Sequence, residues 1–246
     1  MKKQLFLIGL PLLIILFSAF SCDDRNDNSL GDFQIRIATV VSENDNKYSL
    51  ILDSGIKLIP KNTEIGYKPV DGQRVFINFT ILGDDDEGYI YFIRINDIWN
   101  ILTKNTIILN ENNADSIGND PVAIEDIWIG SDYLNVDFLF NYGGIRPHAI
   151  NLVENKMASQ IDDGKVYLEF RHNSYFSGSS QLYNGLVCFN LKPYRKNDAD
   201  SVAISVKVQE WGGSRTYNMT YKYNDAALQN AVTKTTIPNV SSNEYY

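Results

Sequence analysis

The sequence predicts an all-β protein in two parts, an N-terminal five-stranded OB-like barrel followed by a C-terminal immunoglobulin-like β-sandwich. Three observations carry this. From Phe33 onward apolar residues alternate with polar ones at period two, the pattern of half-buried strands. Five short strands crowd between Phe33 and Ile95, a count that suits a small closed barrel. After an Asn- and Asp-rich stretch, Asn110 to Asp120, seven further strands follow, the number of a simple sandwich. The 15 Tyr and 12 Phe fit this reading, because aromatic residues favour strands over helices.

The chain opens differently. Lys2 and Lys3 precede an apolar run from Leu5 to Phe20, ending in Ala19-Phe20-Ser21-Cys22. A positive start, a short apolar centre and small residues before a cleavage point make a secretory signal over 1–21. The run is short for a membrane span, which needs about 20 residues, and Pro11 interrupts it. Cys22 stands where a lipoprotein signal peptidase would cut and an acylated N-terminus would form, although position −3 is Ala19 rather than Leu. The competing reading is an uncleaved anchor with a chance cysteine. The sequence thus predicts lipid attachment at Cys22 and an address in the cell envelope, at the outer membrane, held by acyl chains. Residues 22–32 begin Cys22-Asp23-Asp24-Arg25-Asn26-Asp27 and read as an acidic flexible tether. They also resemble the acidic export signal of surface lipoproteins.

The barrel is assigned to 33–110. Phe33, Ile35 and Ile37 share one face of the first strand, and Tyr48, Leu50 and Leu52 one face of the second. Asp53-Ser54-Gly55 turns the chain into Ile56 to Ile59. Val75, Ile77, Phe79 and Ile81 line the fourth strand, and Tyr89, Tyr91, Ile93 and Ile95 the fifth, across an acidic loop from Gly83 to Gly88. The boundary is set at Asn110 to Pro121.

The sandwich is assigned to 121–223. Val122 to Ile129 and Tyr133 to Tyr142 flank the hairpin signal Gly130-Ser131-Asp132. Further strands are read at His148–Glu154, Lys165–His172, Gly185–Lys192, Val202–Glu210 and Arg215–Tyr223, the last two joined through Trp211-Gly212-Gly213-Ser214. Residues 224–246 form a C-terminal tail.

These segments carry a resemblance. Asp71-Gly72-Gln73-Arg74-Val75 comes first, and Ser116-Ile117-Gly118-Asn119-Asp120-Pro121 follows. Asp126-Ile127-Trp128-Ile129-Gly130-Ser131-Asp132-Tyr133-Leu134-Asn135 comes next, then His148 with Asn151-Leu152-Val153. In this order, behind a lipoprotein signal, they resemble the NigD-like family of lipoproteins from about Phe33 to Tyr223. The resemblance implies an OB-like domain before a β-sandwich. It implies no activity. The family takes its name from a bacteriocin-associated gene cluster, which implies an accessory or immunity role.

Composition narrows the chemistry. Removing the leader leaves 20 basic against 30 acidic residues, a net charge of −10. Residues 33–109 carry 8 basic and 10 acidic residues, so the barrel lacks the cationic groove a phosphate backbone needs, and no nucleic-acid partner is expected. Once Cys22 is acylated, Cys188 in Leu186-Val187-Cys188-Phe189 is the remaining thiol, read as a small buried hydrophobe. His148 and His172 sit apart in sequence, with no nucleophile elbow, and read as structural or surface residues. Asp84-Asp85-Asp86-Glu87 lacks the spacing of a calcium loop and reads as a solvated turn. No catalytic residue, metal or cofactor is therefore assigned.

What remains is binding. A glycan or protein ligand would use exposed aromatics, with Trp99, Trp128 and Trp211 as candidates. Trp128 reads as core, and Trp211 at its hairpin tip is the chosen ligand contact. Asp115-Ser116-Ile117 and Asp200-Ser201-Val202 fit a short O-glycosylation pattern, making Ser116 and Ser201 candidate acceptors. The functional expectation is a non-catalytic envelope lipoprotein acting as a binding module. The alternatives are a bacteriocin-associated accessory or immunity lipoprotein, or an enzyme whose site no motif marks.

Overall fold

The computed structural model describes residues 33–223 apart from 44–46, 63–64, 86, 145, 159–161 and 178. The expected signal peptide, Cys22, the acidic tether and the tail lie outside the described residues.

The first half is a closed barrel of β1 (Phe33–Ser42), β2 (Tyr48–Leu52), β3 (Lys57–Asn62), β4 (Arg74–Asp84) and β5 (Ile90–Asn100), in the order β1-β2-β3-β5-β4. The ten-residue β1 closes it by serving two partners. Phe33–Thr39 pairs with β4, and Ala38–Ser42 pairs with β2. Alternate side chains fill the interior, with Ala38, Val40, Leu50, Val75, Ile77 and Ile93 fully buried. The acidic loop between β4 and β5 has an internal purpose: Asp85 Oδ1 accepts from the amides of Gly88, Tyr89 and Ile90 at 3.0–3.2 Å.

The second half is a sandwich of two mixed sheets. Its strands are β6 (Leu102–Asn105), β7 (Ile107–Leu109), β8 (Ala123–Gly130), β9 (Tyr133–Asn141), β10 (Ala149–Asn155), β11 (Val166–Asn173), β12 (Leu182–Asn190), β13 (Ser201–Glu210) and β14 (Gly213–Lys222). One sheet runs β14-β13-β11-β10-β7 and the other β6-β12-β9-β8. Leu134, Val136, Phe138 and Phe140 from one face Ile150, Leu152, Leu168 and Phe170 from the other in a continuous core. The seven strands expected here are joined by β6 and β7, and three pairings, β6–β12, β7–β10 and β11–β13, are parallel.

β6 and β7 correct the boundary. The barrel ends at Asn100, not at residue 110, and the next residues already belong to the sandwich. Either side of Thr106 the chain joins first one sheet, through β12, and then the other, through β10. The Asn-rich stretch is not a bare linker either. It folds into a one-turn helix, α1 (Ala114–Ile117), whose Ile117 is buried with Leu109 and Val153. Its polar side chains bind local backbone, as in Asn113 Oδ1 accepting from the Asn110 amide at 2.9 Å. Composition alone cannot separate such turn-forming residues from solvated ones. Barrel and sandwich accordingly lie within one compact unit.

Candidate functional site

Ionisable and aromatic side chains gather at two places, the seam between barrel and sandwich and the opposite end of the sandwich. The seam is built around Arg74 on β4, which is completely buried. Its guanidinium forks onto Asp53 at 2.6 and 2.9 Å, donates to Thr39 Oγ1 at 3.0 Å and reaches Asn135 Oδ1 on β9 at 3.2 Å. Cys188 donates its thiol hydrogen to the same Asn135 oxygen at 3.0 Å. Tyr133 hydrogen-bonds the Gly72 carbonyl at 2.8 Å, and its ring faces the Arg74 guanidinium. A Cβ on Gly130 would sit 2.1 Å from Asp53 Oδ2, so only glycine lets the barrel's turn approach here. Ile37, Phe76, Ile101 and Leu186 close around the network, with Trp128 packed against them. Burial pushes the Cys188 thiol up to about 11, against the opposing pull of Arg74, so it stays protonated and unreactive.

The other place is made by topology. Because β11 and β13 run parallel, with Phe170 beside Val208, their ends arrive together. Asp120 to Val122 lies between them: the Asp120 amide donates to His172 and the Val122 amide to Gln209. Two turns project from this end. One is the β13–β14 hairpin, whose tip carries Trp211, 46% exposed. The other is Ser174-Tyr175-Phe176-Ser177, closed by a Ser177 N–H to Ser174 carbonyl bond of 2.8 Å. Tyr175 and Phe176 sit at φ +49° and +60°, the left-handed values of a type I′ turn. That conformation normally takes Asn and Gly, and it costs about 1–3 kcal/mol for each other residue held there. Phe176 is nevertheless fully exposed, at 102%. Leu182, at the start of β12, is 51% exposed, and the Arg146 guanidinium stacks 3.5 Å over the Tyr175 ring.

A buried polar cluster holds the strained turn. The Asp120 carboxylate accepts from the Ser174 amide at 2.8 Å and its hydroxyl at 2.6 Å. Asn173 Oδ1 accepts from the Tyr175 amide at 2.8 Å. The Ser177 carbonyl accepts from the Gly143 amide at 2.6 Å and from His148 Nε2 at 3.3 Å. His148 and His172, distant in sequence, meet at 2.8 Å through Nδ1 and Nε2. A carbonyl can only accept, so His148 carries its proton on Nε2 and offers Nδ1 as acceptor. His172 then donates from Nε2, and its Nδ1 is left buried without a hydrogen-bond partner. Burial first, and then the His148 charge, lower His172 to about 4; burial also lowers His148. Both rings are neutral at physiological pH and shut away from solvent, so they support the turn and do not act as an exposed base.

The residues singled out in the sequence fall on either side of this picture. Trp211 lies at the aromatic end. Ser116 is exposed on α1, its hydroxyl bonded to the Asn113 carbonyl at 2.9 Å, and Ser201 is exposed at the start of β13. Ser116 lies next to the aromatic end, its carbonyl accepting from Asn173 Nδ2 at 2.9 Å, whereas Ser201, paired with Lys222, is at the other end of β13 from Trp211. Trp99 is 44% exposed on the barrel. Phe176 lies in no motif, and Arg74 lies in Asp71-Gly72-Gln73-Arg74-Val75, which marks the family resemblance but not its buried role. Among the described residues no three or more His, Cys, Asp or Glu side chains gather to hold a metal, and no helix is long and apolar enough to cross a membrane.

The two halves of this architecture match two family models. Residues 37–101 match the NigD-like N-terminal OB domain, and residues 105–221 match the NigD-like C-terminal beta sandwich domain. The chain belongs to the NigD-like family. A protein of Parabacteroides distasonis described as toxin-related is 38% identical to this NigD-like chain, covering 78% of it and 95% of the relative, with a TM-score of 0.68. A Bacteroides vulgatus protein of unknown function is 33% identical over 78% of this chain and 92% of its own, again at a TM-score of 0.68. A NigD-like immunity protein of Bacteroides caccae shares the fold at 19% identity, 78% and 97% coverage and a TM-score of 0.61. No curated protein matches the NigD-like chain in sequence. The family models change over between residues 101 and 105, where β6 enters the sandwich.

Proposed function

We propose that this NigD-like chain is a lipid-anchored envelope protein, tethered through Cys22 at the outer membrane. It works without catalysis, by gripping a protein partner with the aromatic end of its sandwich in a bacteriocin-associated immunity role. The observation that carries this is Phe176, fully exposed on a turn of two left-handed non-glycine residues. Exposure forfeits the stabilisation of burying a large aromatic ring, and the turn adds strain; neither helps the fold. Both suit recognition, because a rigid aromatic enters a partner's apolar cavity with little entropy left to lose. Trp211 on the adjoining strand end supplies a second anchor. The toxin-related and immunity descriptions of the relatives support the choice of partner.

The test is protection. The full chain is expressed in a related bacterium that lacks it and is sensitive to a bacteriocin preparation, with Cys22→Ala, Phe176→Ser and Trp211→Ala variants alongside. Protection by the wild type is expected, with loss of membrane retention and of protection in Cys22→Ala. Each aromatic variant should reach the membrane in normal amount and protect at least tenfold less, the effect of losing a contact worth about 2 kcal/mol. Undiminished protection by both aromatic variants would refute the surface, and no protection by the wild type would refute the role.

A further inference from the structure

A second site lies on the outer face of the five-stranded sheet, away from the aromatic end. It is a cleft of about 540 Å³ whose floor comes from β11, β13 and β14. Register places Tyr167 beside Ser205, Glu169 beside Lys207, and Lys207 beside Thr216. Period two points these side chains outward, while Leu168, Val206 and Val208 go to the core.

Their interactions divide them into those already satisfied and those left available. Glu169 is fully engaged, accepting from Asn155 Nδ2 at 3.0 Å on one oxygen and from Arg171 Nε at 2.8 Å on the other. Lys207, its neighbour across the strands, therefore has no carboxylate to itself and makes no ion pair among the described residues. Lys156 and Lys165 stand at the cleft wall, each with its own acid, Glu154 and Asp163. The Tyr167 hydroxyl donates to Asp163 at 2.7 Å, which fixes the ring while 39% of the residue stays exposed. The hydroxyls of Ser205 and Thr216 have no hydrogen-bond partner among the described residues. The cleft thus offers one pinned aromatic face, the exposed hydroxyl of Thr216, the largely buried hydroxyl of Ser205 at its floor and one uncompensated ammonium, in a chain whose net charge is −8.

We propose that this cleft binds an acidic sugar, a hexuronic acid unit of a polysaccharide. A pyranose ring has an apolar face to lie on Tyr167, hydroxyls to pair with Ser205 and Thr216, and in a uronic acid a carboxylate for Lys207. A phosphate would be served better by a guanidinium fork, but no arginine is among the residues that line the cleft, and Arg171, two positions beyond Glu169, is engaged by it. A neutral sugar would leave the Lys207 charge without use. The site is independent of the aromatic end, and the two stand or fall separately.

Calorimetric titration of the soluble mature chain with trigalacturonic acid tests this, with the neutral galactose trimer and inorganic sulfate as controls. Binding of the acidic trimer is expected, at least tenfold tighter than the neutral one and not displaced by equimolar sulfate. Lys207→Gln and Tyr167→Ala should each weaken it at least tenfold, whereas Tyr167→Phe, which keeps the ring, should bind like wild type. These positions face solvent, so an unchanged melting temperature should accompany each loss. Phe176→Ser should leave sugar binding intact, which separates failure here from failure at the aromatic end. No binding of the acidic trimer, equal binding of the neutral one, displacement by sulfate, or an indifferent Lys207→Gln would each overturn the proposal.

Discussion

The seam and the aromatic end of the sandwich are both assembled from residues far apart in sequence, and they use them in opposite ways. At the seam a charge is brought in from water and both terminal nitrogens are partnered: Arg74 meets Asp53, Thr39 and Asn135, with its Nε left buried and unpaired, and the arrangement serves the union of barrel and sandwich. At the aromatic end the buried groups hold something out. Asp120, Asn173 and the histidine pair keep in place a turn that the chain would be more stable without. Buried charge at the seam thus serves stability, whereas the aromatic end gives stability up, and the proposed binding surface rests on that difference.

The largest effect that could break this contrast belongs to the seam. Asp53→Ala should destabilise the protein by about 3–5 kcal/mol, because it strands a wholly buried guanidinium. Chemical denaturation reads this directly. Arg74→Leu should cost less, since Asp53 retains 28% side-chain exposure and can find water. Equal losses would mean the pair is not the lock described here.

The histidine pair gives an intermediate effect with a defined pH window. His172 titrates near 4 when folded and near 6.5 when unfolded, so the unfolded chain takes up the proton first. The stabilising contribution is complete above pH 6.5, erodes as pH falls toward 4, and does not change further below that. The total is about 3–4 kcal/mol, because each tenfold difference in proton affinity between the folded and unfolded chain is worth about 1.4 kcal/mol. His172→Gln, which keeps a donor toward His148 and cannot titrate, should flatten the stability profile between those values. A profile unchanged by the substitution would place the pH dependence elsewhere.

The smallest effect sharpens the contrast by its sign. Replacing Tyr175-Phe176 with Asn-Gly should raise stability by about 1–2 kcal/mol, because both residues then suit a type I′ turn. The same change should abolish the protection ascribed to Phe176. A substitution that stabilises the fold and destroys the function is what a surface shaped for recognition requires, and a loss of stability on this change would show that Phe176 serves the fold.

How much of this is legible in the sequence follows from which interactions leave a periodic trace. β4 and β5 show plainly, since Val75, Ile77, Phe79, Ile93 and Ile95 recur at every second position and fill one interior. Trp211 stands out because Gly212 and Gly213 mark its hairpin. Phe176 does not, because Ser174-Tyr175-Phe176-Ser177 contains no glycine or asparagine; the turn is imposed by Asp120 and Ser177 contacts across the fold. β6 and β7 escape notice because strands of four and three residues carry too few alternations to count, and their partners in parallel pairing lie far along the chain. Arg74 and the meeting of His148 with His172 depend on register, which periodicity alone does not supply.

The early entry of the chain into the sandwich also sets the order in which the protein can be made. As the chain is synthesised from its N-terminus, the barrel's strands are complete by Asn100, but the residues that follow must wait. Asn105 Oδ1 accepts from Asn190 Nδ2, 85 positions later, and Ile107 to Leu109 pair with Val153 to Asn155. Ile101 is already tied to the barrel through the Arg74 carbonyl, but until those segments emerge Leu102, Ile107, Ile108 and Leu109 form an apolar stretch that lacks its strand partners. Such a segment is a template for pairing with the wrong chain. Between synthesis of Asn105 and arrival of Asn190 the stretch from Leu102 to Leu109 is therefore open to wrong pairing.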